Sequence, residues 1–287
     1  MSTNLGMPRV GRKRELKFAT EKYWRQEITA SELLSIATDV VDDIYNQQLN
    51  AGIDLIPVND FSFYDRVLDL CCFLGVTPER FSQNVKPFFL DEYFRLARGD
   101  GDIAAMEMTK WFDTNYHYLV PEIEATTSPS FSDQLFAQQV LPELDSKKQK
   151  FCLVGPVTFL ALAKSEDSVD KYSIKEELTK AYTDLLKHIE NLGYTNIQIE
   201  EPIIGSDLSD QDKSFFSSFY SKISENLNPA TKTHLVTYFG NIEDNIDLIS
   251  SASFDSVHLD LITDDSLSLI HISEPTRPER IGYCGLW

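Results

Sequence analysis

Three stretches carry residue types that could do chemistry together. In LGMPRVGRKRELK (residues 5–17), Gly6 and Gly11 permit close backbone approach and Pro8 stiffens the turn. Arg12, Lys13, Arg14 and Lys17 then arrive at the start of a helical pattern. From Arg9 to Arg25, seven Lys/Arg meet only Glu15 and Glu21, a local charge of +5 in a chain of net charge −19. Cations at a helix N-terminus oppose its positive dipole end, so a bound anion would account for them, and several carboxylates in a row suit such a surface. A solvated helix face has the same composition, and charge alone leaves both readings open.

The second stretch is EMTKWFDTNYHYLVPE (residues 107–122). Lys110, Trp111, Asp113, Asn115, Tyr116 and His117 could line a polar pocket with a flat stacking wall. The start of a strand beside a half-buried Trp fits equally. The third is IQIEEPII (residues 197–204), where Glu200 and Glu201 directly follow an apolar strand. That spacing presents one carboxylate toward the mouth of a barrel as a general acid or base, although no partner that would shift its pKa is legible. Cys71, Cys72, Cys152 and Cys284 have no C-x-x-C spacing, and His117, His188, His234 and His258 are scattered, so no metal site is expected in this chain. G-x-S-x-G, G-x-G-x-x-G and G-x-x-x-x-G-K-[ST] are all missing.

The elements that must position these residues alternate. Strand-like runs at 5–9, 54–58, 116–120, 151–154, 196–200, 234–238 and 256–261 are separated by amphipathic helical patterns. Thr29 with Glu32 forms a capping box before the stripe Leu33, Ile36, Ala37, Val40 and Ile44, with Gly52 at its end. Ser173 with Glu176 repeats the device before Leu178, Ala181, Leu185 and Ile189. Further helices are predicted at 63–74, 132–141, 210–227 and 242–250. Residues 80–107 read as a less regular excursion, with RGDGD at 98–102 as a turn. Strand–helix alternation predicts parallel strands with crossover helices. Asn59, Asp60, Glu122, Glu200, Glu201 and Asp260 fall where strands end, as on the C-terminal rim of a barrel, although helix N-caps use the same residue types. The fold class expected is α/β, of (β/α)₈ TIM-barrel type, incomplete at about seven of eight strands.

The 287 residues are 42% hydrophobic and 25% charged, which is globular usage. No apolar run approaches the ~18 residues of a membrane span, and no apolar core follows the N-terminal charges as in a secretory signal. The cysteine pattern fits a reducing cytoplasm, and the negative charge argues against nucleic acid as a partner.

LGMPRVGRKRELK, AGIDLIPVNDFSFYDRVLD, EMTKWFDTNYHYLVPE, LVGPVTFLALAK, IQIEEP, HLVTYFG and VHLDL, in this order, resemble the N-terminal domain of the cobalamin-independent methionine synthases. These are 5-methyltetrahydropteroyltriglutamate–homocysteine methyltransferases, and the likeness runs from about residue 4 to about 265. It implies two face-to-face barrels. The C-terminal barrel, absent here, carries zinc, which activates homocysteine as a thiolate, together with the catalytic acid. The N-terminal barrel helps to hold the polyglutamylated folate. Carried over by position, Arg14, Glu15, Leu16 and Lys17 match the family's folate-contact motif and Lys110 a second contact. No catalytic residue, zinc ligand or cofactor is expected in this chain, whose partners would be the folate and the missing barrel.

An eighth strand should follow residue 261. Instead LSLIHISEPTR (residues 267–277) resembles the translation of a transposase adapter used in sequencing libraries. The expected organisation is therefore a truncated folate-binding barrel domain at 1–266 and a non-native tail at 267–287. Two other readings fit the same residues: a non-catalytic module for polyglutamates or other polyanions, and a stand-alone barrel enzyme using Glu200 and Glu201.

Overall fold

The computed structural model describes residues 1–7, 10–82, 89–136, 140–142 and 146–260. The expected tail, and any eighth strand, lie outside them. Along the chain come α1 (Glu15–Trp24), α2 (Ala30–Asn50), β1 (Ile56–Val58), α3 (Arg66–Phe73), α4 (Phe89–Arg98) and the strands β2 (Met108–Lys110), β3 (His117–Leu119) and β4 (Glu122–Ile123). Then follow α5 (Asp133–Phe136), β5 (Gln149–Val154), α6 (Pro156–Leu162), β6 (Lys164–Ser165), α7 (Lys175–Asn191) and β7 (Asn196–Glu200). The described part closes with α8 (Asp210–Asn226), β8 (Lys232–Val236), α9 (Ile246–Ser251) and β9 (Ser256–His258).

Local chemistry sets most helix ends. Thr29 and Glu32 form both halves of the capping box on α2. Asp65 caps α3 by accepting from Leu68 N, and Ser209 with Asp212 makes a box on α8. The box expected at Ser173 does not form. Asp170 instead caps a 3₁₀ turn at Lys171–Ile174, and α7 grows from that turn. The stretch expected to be irregular contains α4, which buries Leu90, Tyr93, Phe94, Leu96 and Ala97. RGDGD does form a turn, closed by Asp100 pairing with Ile103.

The main sheet is parallel, in the order β1-β5-β7-β8-β9. This is the α/β, barrel-type alternation that the sequence predicts, but the strand inventory differs in two places. Of the strand predicted at 5–9, residues 5–7 are not in a ladder and 8–9 lie outside the described residues; the parallel contact with the start of β1 is a bridge between Thr3 and Leu55. The backbone beyond it is engaged by side chains: Asn4 O accepts from Lys150 Nζ (3.0 Å), Leu5 O from Gln198 Nε2 (3.3 Å), and Met7 N donates to Asp60 (2.9 Å). The predicted strand at 116–120 does not join the sheet. It is β3, antiparallel to β2, and its Leu119 N donates to the Asp65 carboxylate at 3.0 Å rather than to a neighbouring strand. Among the described residues the sheet stays open at β1 and β9.

Its two faces differ in chemistry because side chains alternate along a strand. Phe151, Leu153, Ile197, Ile199 and Leu235 are buried, on the face packed by the helices. There α7 presents Leu178, Ala181, Tyr182, Leu185 and Ile189, and α8 presents Phe215, Phe216, Phe219 and Ile223. On the other face Cys152, Gln198, His234 and Ser256 stand abreast across four strands. The His234 ring meets Ser256 Oγ at 2.6 Å and Asn196 Oδ1 at 3.2 Å, so it ties three strands together.

Burial, with the Lys150 ammonium nearby, pulls the His234 imidazole from its usual value down to about 4. The unfolded chain therefore binds a proton that the folded one refuses between pH ~6.5 and ~4. Stability from this group is present above pH ~6.5 and lost as pH falls toward 4. Denaturant titrations from pH 7 to 4 should show a loss of about 2 kcal/mol that His234→Gln removes.

Candidate functional site

The basic stretch forms the turn into α1. Arg14 occupies the N-cap with φ 62° and ψ 36°, a left-handed conformation that costs a residue with a Cβ about 1 kcal/mol. Two neighbours hold it there. Arg14 N donates to Gly11 O (3.2 Å), and the Glu15 carboxylate folds back to accept from Lys13 N (2.9 Å). Gly11, at φ 79°, has to be glycine because a Cβ there would lie 2.2 Å from Glu15 Oε2. Leu16 is buried and fixes the turn to the core. Glu15 and Leu16 thus shape the turn, while Lys13, Arg14 and Lys17 are exposed on it. Arg12 is neutralised by Asp43 of α2 (3.0 Å), and Lys17 stands 3.9 Å from Glu21. Lys13 and Arg14 have no ion-pair partner among the described residues.

Lys110 is exposed at the end of β2, opposite His117 of β3, and it too has no ion-pair partner among the described residues. Among the described residues no hydrogen bond or ion pair joins it to the first turn of α1. An indirect link exists: Trp24, ending α1, packs on Tyr64 with centroids 6.4 Å apart, and the Tyr64 hydroxyl lies 4.0 Å from Met108 Sδ, two residues before Lys110. Of the other residues in that stretch, Trp111 is a core residue, edge-on to Phe112 and Tyr118, and His117 and Asn115 stay exposed.

Glu200 and Glu201 diverge, and neither is poised as an acid or base. Glu200 is 6% exposed and receives both its contacts from Arg66 Nη1 at 2.9 Å. Gln198 Nε2 (2.8 Å) and the Tyr238 hydroxyl (3.2 Å) complete its shell. Glu201 turns to the opposite side, wholly buried, and accepts from Val157 N and Thr158 N at the start of α6 and from the Tyr220 hydroxyl of α8. Burial raises its carboxyl above the ordinary range despite those donors. Gly155 admits it, since a Cβ there would fall 2.1 Å from Glu201 Cδ. The two carboxylates thus point to different sides, as alternation along the chain requires, and each is held by hydrogen-bond partners. Arg66, Tyr238 and Asp65 were missed in the sequence. The signal for Asp65 and Arg66 was DR, an N-cap and a cation seven and eight residues after the 54–58 strand, but nothing local names Glu200 as the acceptor.

Arg66→Met would strand the Glu200 carboxylate in the interior and should cost about 3 kcal/mol in denaturant unfolding. Adding Glu200→Gln, which keeps the Tyr238 bond, should restore more than half of that loss.

Against known proteins, the family described as Cobalamin-independent synthase, N-terminal domain, matches residues 1–283. Proteins named 5-methyltetrahydropteroyltriglutamate–homocysteine methyltransferase from Histophilus somni and Neisseria meningitidis serogroup B are each 40% identical over 90% of this chain. The chain spans 34% of their length, about a third. Among solved structures, the putative vitamin-B12 independent methionine synthase of Listeria monocytogenes superposes with a TM-score of 0.55 at 13% identity, over 90% of this chain and 73% of that one. The B12-independent methionine synthase of Shewanella sp. W3-18-1 gives 0.50 at 19% identity, over 77% and 57%. These two likenesses concern the fold. The family match, together with the identity to the curated relatives, makes this chain a member of the cobalamin-independent synthase family, corresponding to its N-terminal domain.

Proposed function

We propose that this chain grips the glutamate tail of 5-methyltetrahydropteroyltriglutamate, so that a longer enzyme can pass the methyl group to homocysteine. Arg14, Lys17 and Lys110 supply the cations, and Glu15 and Leu16 hold the turn. The observation that carries this is the state of those cations. Arg14 and Lys110 are exposed without ion-pair partners among the described residues, and Arg14 is held in a strained conformation by Gly11 and Glu15. Guanidinium and ammonium groups displayed in this way match a run of carboxylates.

Turnover belongs to the longer protein. Methyl transfer from a tertiary amine to a thiol requires a protonated leaving amine and an ionised thiol, which zinc supplies in the family. Among the described residues no three His, Cys, Asp or Glu side chains are grouped to hold a metal, so no step is assigned to zinc here. Burial pushes the thiols of Cys71, Cys72 and Cys152 up, away from the thiolate form. No described helix is long and apolar enough to cross a membrane, and a cytoplasmic site of action suits the substrate. Residues 1–266 are read as the folate-binding domain and 267–287 as a non-native tail, on the likeness of residues 267–277 to an adapter translation.

Calorimetric titration of Arg14→Ala/Lys17→Ala should show triglutamate binding weakened about 5- to 30-fold, from one to two kcal/mol of partly screened pairing. Monoglutamate binding should change less, and the loss should shrink as salt rises. Equal losses for both tail lengths would remove the tail-binding role. Arg14→Gly separates binding from folding. Relief of the left-handed strain should raise stability by up to about 1 kcal/mol while triglutamate affinity falls.

A further inference from the structure

At the far end of α1 lies a cleft of about 520 Å³, enclosed by the last turn of α1, by α4 and by the turn that follows it. That volume is within the range of small-molecule sites. Its walls hold two opposite charges, each steadied by one of two consecutive residues of α1. The Tyr23 hydroxyl donates to Asp91 Oδ1. The Arg98 guanidinium lies 4.1 Å over the Trp24 ring. Asp91 and Arg98 are seven residues apart on α4, two turns on one face, and both line the cleft.

The other charges of the wall are spent on structure. Arg95, 3% exposed, donates to Phe81 O (3.0 Å) and Glu92 (3.2 Å) and pairs with Asp100 at 3.1 Å. Arg98, by contrast, has no carboxylate partner among the described residues, and stacking on an indole orients a guanidinium without neutralising it. The Trp24 Nε1–H is closed off from solvent, so the indole offers the cleft its ring rather than a donor. Asp91 accepts the Tyr23 hydroxyl and has no ion-pair partner among the described residues. Trp24 and Phe94, edge-on at 5.5 Å, supply an apolar wall beside these groups.

We infer that this cleft is a binding site for a free α-amino acid with an apolar side chain. Its carboxylate accepts from Arg98, its ammonium faces Asp91, and its side chain lies against Trp24 and Phe94. The wall has no net charge, since Asp91 and Asp100 offset Arg95 and Arg98, so a zwitterion is favoured over an anion or a cation. The site stands apart from the tail-binding cations, which occupy the first turn of a helix that runs about 15 Å to Trp24.

The test is titration of the 287-residue chain with L-norleucine, hexanoate and hexylamine, followed by tryptophan fluorescence and calorimetry. Norleucine should bind saturably, with the two single-charge analogues at least about tenfold weaker. Arg98→Gln should weaken norleucine at least about tenfold, as should Asp91→Asn, which keeps an acceptor for Tyr23. Trp24→Phe should abolish the fluorescence response while calorimetry still reports weakened binding. Thermal melts matching the unsubstituted chain show that each variant is folded. The inference is overturned if norleucine gives no heat and no fluorescence change, if hexanoate binds as well as norleucine, or if folded Arg98→Gln binds norleucine undiminished. None of these outcomes depends on the folate, so the reading of Arg14, Lys17 and Lys110 stands or falls separately.

Discussion

The ion pair between Arg66 and Glu200 is the contact on which the arrangement of the site depends. It joins the first residue of α3 to the last residue of β7, 134 positions along the chain, with both charges mostly out of water. Such a pair gains little net stability over an apolar one, because desolvation offsets the attraction. What it fixes is direction. Asp65, next in sequence to Arg66, caps α3 and takes the Leu119 amide, which draws β3 away from the parallel sheet. Arg66 reaches the other way, to the sheet's centre. Two adjacent residues after one strand thereby place the β2–β3 hairpin, with Lys110 on it, over the ends of β7 and β8. The ring of Phe112, just past β2, meets that of Phe239, next to the Tyr238 that donates to Glu200.

A second constraint follows from the polar face of the sheet. Barrel interiors are usually filled by branched apolar residues. Here Lys150, Asn196, Gln198, His234 and Ser256 share that face, and each needs partners. Residues 4 and 5 supply carbonyls to Lys150 and Gln198, so the N-terminal segment gives up its own ladder to serve the interior. The absence of a regular first strand and the polar interior are one fact seen from two sides.

This explains what the sequence disclosed and what it hid. The parallel architecture, the capping box at Thr29, the strand at 196–200 and the cationic turn at 14–17 are set by periodicity and by contacts within a few residues, so they were legible. The box at Ser173 failed because Asp170 offered a better cap one turn earlier. The placement of β3, the loss of the first strand and the fates of Glu200 and Glu201 were not legible. Each was decided by a group more than forty residues away: the side chains of Asp65 for Leu119, Lys150 and Gln198 for residues 4 and 5 and Arg66 for Glu200, and the Thr158 amide for Glu201. At residues 80–107 apolar periodicity was present but was masked by paired aromatics and an RGDGD turn, and it became α4.

Backbone strain is distributed in the same pattern. Among the described residues, five that are not glycine have positive φ: Arg14, Gln26, Asn59, Phe112 and Phe239. Each costs about 1 kcal/mol and persists only where its surroundings over-determine it. Asn59 follows β1 and is held by its amide on Cys152 O (2.8 Å). Phe239 follows β8, with its amide on Asp260 (3.2 Å), and its ring meets that of Phe112, at the end of β2, at 6.2 Å. Three of the five therefore sit just past strand ends, where the chain turns toward the sheet's rim. The fourth, Arg14, forms the cationic turn, and the fifth, Gln26, borders the cleft at the other end of α1. At Asn59 and Phe239 the contacts just named hold the strained residue in place, and at Arg14 the turn from Gly11 to Glu15 does the same.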